Sequence, residues 1–74
     1  MITTSRNEAI EAGIMIETGD IEHLLEEYKK IEDSEVRRVF ENIGGGSFNH
    51  LHAFLRLANT YQYTPRTTYG HLLS

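Results

Sequence analysis

Two stretches of this chain place apolar residues at alternating steps of four and three, a spacing that is helical rather than extended. In the first, Ile10, Ile14, Glu17, Ile21, Leu24, Tyr28 and Ile31 follow one another without a break. In the second, Val36, Phe40, Ile43, Ser47, His50, Phe54, Leu57 and Tyr61 do the same. Stripes of this kind mark the inward seam of a helical bundle. Glu17 and His50 are the strongly polar members of those seams. Burying either one is costly unless something satisfies it.

The pattern predicts an all-α chain folded as a long antiparallel helical hairpin, with residues 1–74 forming one small domain. Ser5 followed by Glu8 fits a capping box and starts a first helix that runs from about 6 to 31. Its outer face carries Glu11, Glu22, Glu26, Glu27, Lys29 and Lys30, which reads as a solvated surface with Glu26 and Lys30 in the favourable i,i+4 order. The link Glu32–Asp33–Ser34–Glu35 is short, and Asp33 or Ser34 can cap a second helix over about 34–60. So short a link makes the two helices neighbours. Gly44–Gly45–Gly46 cost roughly 1 kcal/mol each relative to alanine inside a helix. Ile43 and Ser47 nonetheless stay in phase across them, so one helix is expected, kinked if anywhere at 44–46. The tail over 62–74 holds Pro65 and reads as an irregular arm with a frayed end.

Within such a hairpin the two polar residues meet. Glu17 lies 16 residues before Asp33 and His50 lies 17 after it. At a rise of about 1.5 Å per residue they stand at nearly the same height. Asp20 sits one turn beyond Glu17, on the edge of the same face.

A chain of 74 residues without cysteine has neither a disulfide nor a thiolate metal site to reinforce it. Oligomerisation, or a metal held by His, Glu and Asp, is what remains. Ala9, Met15, Leu25, Val39, Leu51, Leu55 and Ala58 add apolar surface beside the stripes that one hairpin cannot bury. A two-fold homodimer that builds a four-helix bundle is the economical answer. The net charge of −4 and the dispersed basic pairs argue against nucleic acid as a partner. No apolar run spans a membrane and no signal segment opens the chain, so a soluble cytoplasmic protein is expected.

Several segments carry a resemblance. Ile16-Glu17-x-x-Asp20-Ile21-x-x-Leu24, then Arg38-Val39-Phe40-Glu41-Asn42, then Gly46-Ser47-x-Asn49-His50-Leu51-x-Ala53-Phe54 resemble the second half of an uncharacterised ferritin-like family of prokaryotes. Tyr63-Thr64-Pro65 resembles that family's downstream segment. The likeness covers roughly residues 5–61, and its Gly-Ser-x-Asn-His-Leu part is the more specific. It implies a ferritin-like four-helix bundle whose usual di-metal centre takes one Glu from each of two helices and a Glu-x-x-His pair from each of the others. Carried over, it implies a metal site of Glu17 and His50, with Asp20 as a further carboxylate. Iron would be the metal, with manganese or zinc as alternatives. The chain departs from the pattern in two ways. The other helix pair is missing and a second copy would have to supply it. Ser47 stands where the glutamate three before the histidine belongs. The competing reading is a non-enzymatic helical dimer or scaffold that holds no metal, in which a Glu–His pair fixes register.

Overall fold

A computed structural model describes residues 5–73, and of Leu73 the backbone alone. The order of elements is α1 (Arg6–Tyr28), α2 (Ser34–Thr60) and α3 (Gly70–Leu73). The long helices α1 and α2 pack as a hairpin, and the described chain is helical with no strand. Among the described residues, no helix is long and apolar enough to cross a membrane.

The caps follow from the sequence. The Ser5 hydroxyl accepts from the Glu8 amide at 3.2 Å and opens α1. Asp33 Oδ1 accepts from the amides of Glu35 and Val36, at 2.9 and 3.0 Å, and opens α2. Each satisfies N–H groups that the helix itself leaves unpaired. α1 stops at Tyr28, short of Ile31. The amides of Lys30 and Ile31 reach back only three residues, to Glu27 and Tyr28, which tightens the chain into the reversal. Lys30 pairs with Glu27 at 3.3 Å rather than with Glu26. α2 runs unbroken through Gly44–Gly46.

α2 ends by geometry that the sequence does not advertise. The Tyr63 amide donates to Ala58 O at 2.8 Å and the Gln62 amide to Asn59 O at 3.1 Å. This is the paired Schellman closure, which needs a left-handed residue between helix and exit strand and usually takes glycine. Gln62 fills that place at φ 55°.

The core is small: Ile10, Ile14 and Ile21 of α1 meet Leu51 and Ala58 of α2. The α1 half is the expected stripe. On α2 the buried ridge is turned by one residue, so Leu51 and Ala58 point in. Val36, Ile43, Leu57 and Tyr61 of the expected seam are exposed instead. As far as Leu72 the tail is not frayed. Tyr63, Tyr69 and Leu72 pack against the core, making residues 63–72 a strap folded back along α1.

The strap covers one side of the hairpin only. At about 100° per residue, Glu11, Thr18 and Glu22 flank the Ile14–Ile21 ridge on one side, and Gly13, Glu17 and Leu24 on the other. The strap bonds to Glu11 and Glu22. The opposite side is open. The molecule measures 46 × 30 × 16 Å. The chain is thus one layer of helices with a strap on one face.

Candidate functional site

The open face carries Glu17 and His50. His50 Nδ1 lies 3.5 Å from Glu17 Oε1, so the hairpin brings the two residues together. Their surroundings differ sharply. The Glu17 side chain is 15 % exposed and the His50 side chain 67 %. Glu17 Oε2 is fully buried and has no hydrogen-bond partner. An ionised oxygen in that condition is costly, and such orphans call for an explanation. Asp20 is exposed, one turn along α1, and does not join the pair. Among the described residues, no three His, Asp or Glu side chains gather closely enough to hold a metal ion. A single chain therefore offers one carboxylate and one imidazole.

Around this pair the helices approach closely. A Cβ built on Gly13 would stand 2.7 Å from Phe54 Cδ1, and closer still to the ring edge. Glycine at this position is what lets the ring edge approach α1 this closely. Ser47 is half-buried one turn before His50, small enough for the same close approach.

A second carboxylate, Glu11, accepts four hydrogen bonds, although its sequence position reads as solvated surface. It is buried. Its Oε1 accepts from the Arg66 amide at 2.8 Å and from the Tyr63 hydroxyl; its Oε2 accepts from the Thr67 amide at 3.0 Å and from the Thr67 hydroxyl. Those donors, the Arg66 amide and Thr67 hydroxyl foremost, hold its carboxyl down to about 2 against an ordinary 4.5. The Tyr63 phenol is raised in turn, chiefly because it donates to Glu11. No sequence signal announces Glu11, since its partners lie 52–56 residues away. His71 Nε2 then meets Glu22 Oε1 at 3.0 Å and fastens the far end of the strap.

The remaining polar contacts close the two ends of the hairpin. The Arg6 guanidinium lies 3.6 Å from the Tyr61 ring centroid, and that of Arg37 lies 4.5 Å from the Tyr28 ring. The Tyr28 hydroxyl donates to Glu41 Oε1 at 2.6 Å, which raises the Tyr28 phenol above its usual range. Both tyrosines lie on the expected stripes, and both hold the fold together. His23 and His52 are exposed.

The fold and site define a class: a strapped helical hairpin with a paired Glu and His on its uncovered face. The chain belongs to the family described as an uncharacterized protein domain (DUF2202), whose match covers residues 1–69. It is 38 % identical over 64 residues to an uncharacterized protein of Methanocaldococcus jannaschii. That alignment takes in 84 % of this chain and 35 % of the relative. The chain thus spans about a third of the length of the curated relative it matches. No solved structure matches it.

Proposed function

We propose that this hairpin is one half of a ferritin-like four-helix bundle, completed by a second copy, with a metal ion held between Glu17 and His50 of both chains. The observation that carries the reading is the approach of Glu17 Oε1 to His50 Nδ1, 3.5 Å apart, on the open face. Two donors from one chain do not make a metal site, but a two-fold axis passing near them doubles the set to two carboxylates and two imidazoles. Asp20 of each chain stands one turn away as a further oxygen donor. That mixture of hard oxygen and imidazole suits iron or manganese, and also zinc. Iron or manganese so held would supply dioxygen or peroxide chemistry. The residues' own part is to hold the ion. Glu17 would contribute a carboxylate oxygen and the exposed His50 ring an imidazole nitrogen.

Metal analysis tests this. The protein, purified without chelators and loaded with Fe(II), is expected to bind metal in proportion to dimer, and Glu17→Ala and His50→Ala are each expected to abolish it. A dimer that takes up no Fe(II), Mn(II) or Zn(II) would refute the metal. It would leave the Glu–His pair a fixer of register, in a non-enzymatic dimer.

A further inference from the structure

The ridge that α2 turns toward α1 repeats in heptad steps, as Gly44, Leu51 and Ala58. Leu51 and Ala58 are buried, at 0 % and 2 % exposure. Gly44 stands one heptad before Leu51 and faces the same way by helical phase. A Cβ built there would nonetheless meet nothing within 4 Å, and the same holds at Gly45. Where the next core side chain belongs, the ridge has a hole.

The hole is a cavity of about 300 Å³ between α1 and α2, near the reversal. The buried Ile21 borders it, so it opens off the core. Gly44 and Gly45 both line it. Only proline is tolerated less well than glycine in a helix interior. No close approach inside the chain requires glycine at either position. What the two residues provide is the empty volume. The cavity stands apart from the Glu17–His50 pair, since His50 lies six residues, about 9 Å, further along α2 than Gly44.

The lining indicates what fits. Of the chain's four tyrosines and three phenylalanines, Tyr28, Phe40 and Phe48 border the cavity. Aromatic walls favour aromatic guests, through offset-stacked or edge-to-face contacts. An apolar cavity of about 150 Å³ takes benzene, so this one has room for two fused rings. One carboxylate, Glu41, stands at the rim. Its Oε1 accepts from the Tyr28 hydroxyl at 2.6 Å, which leaves Oε2 to accept from a guest. The Arg37 guanidinium stands by the same tyrosine, 4.5 Å from the ring centroid, and offsets the charge of Glu41. A neutral donor therefore suits this rim better than a cation.

We infer that this cavity is a binding site for a flat, neutral, two-ring aromatic molecule carrying one N–H or O–H. Its rings lie among Tyr28, Phe40 and Phe48, and its donor meets Glu41. An apolar wall with few, placed polar groups is the usual form of a small-molecule site of this volume.

Indole has that shape and a single N–H, and serves as the probe. Titrated into the isotope-labelled full chain and followed by NMR, it is expected to shift the Gly44 and Gly45 amides along a saturable curve, with a millimolar or tighter dissociation constant. N-methylindole keeps the rings and loses the donor, and should bind about threefold to tenfold more weakly. Gly44→Leu puts a side chain into the cavity and should abolish the shifts while raising the melting temperature. Gly44→Ala adds a single methyl, spares the fold, and should weaken binding in the same direction. Shifts that never saturate or that scatter over the surface would overturn the site, as would full indole binding by a folded Gly44→Leu protein. Equal binding of N-methylindole would overturn the role of Glu41. Gly44 and Gly45 shifts that follow protein concentration and not indole would show a second copy in the cavity and overturn the small-molecule reading.

Discussion

Replacing Glu11 by glutamine should unfasten the strap, and the loss can be sized from the carboxyl's own titration. In the folded chain this group is held down to about 2; unfolded, it returns to about 4.5. The folded value is the lower one, so its contribution is present in full above about pH 4.5. It fades as pH falls toward 2, because the unfolded chain takes up the proton first. A difference of that size corresponds to about 3 kcal/mol, an upper figure for a group near the surface of a small protein. Glutamine keeps one acceptor oxygen but turns an NH₂ toward the Thr67 amide, which then lacks an acceptor. At pH 7, Glu11→Gln is therefore expected to lose about 2–3 kcal/mol in denaturant titration, or upwards of 10 °C in melting temperature. Between pH 5 and pH 2 the gap between parent and variant should close. Comparing the two proteins cancels the other carboxylates, whose titration they share. Amide exchange at Arg66 and Thr67 reports the strap itself and should accelerate in the variant. A gap that stays constant from pH 7 to pH 2, or protected Arg66 and Thr67 amides in the variant, would refute the role given to Glu11.

Two further substitutions test close geometry. Gly13→Ala improves helix propensity by roughly 1 kcal/mol but drives a methyl into the Phe54 ring, where overpacking costs about 1–3 kcal/mol. A net loss of about 1–2 kcal/mol is expected, relieved by adding Phe54→Leu; a stabilised Gly13→Ala protein in thermal melts would contradict the contact. Gln62→Gly removes a side chain from the left-handed position that ends α2 and should stabilise by about 0.5–1 kcal/mol, read in the same melts. An unchanged or lower melting temperature would argue against that closure.

What the sequence makes legible here is local or periodic. Both caps are local: Ser5 and Asp33 bond amides two or three residues away, so the helix starts can be read directly. Glu17 and His50 are 33 residues apart, yet their meeting follows from periodicity and a short turn, because a hairpin with a fixed reversal converts sequence distance into height. Glu11 offers no such handle. It lies off the apolar stripe, and its partners are two backbone amides and two hydroxyls of a segment whose path depends on where α2 stops. That stop depends on Gln62, a residue with no strong preference for the conformation it adopts. Three linked events, none periodic, separate the sequence from the strap.

The one-residue turn of the α2 ridge is a different kind of departure. The proposed bundle would account for it, since a helix of a four-helix bundle presents one flank to the helix beside it and another to the opposite layer. With a single layer present, only the flank facing α1 is buried. The observed core is then Leu51 and Ala58, and the remainder of the stripe stands in solvent. A solvated helix flank ordinarily carries polar residues, at positions such as Val36, Val39, Ile43 and Leu57. These four are apolar, and they continue on the same side as the exposed His50. On the proposed reading, this mismatch between stripe and core is what half of a bundle would leave behind.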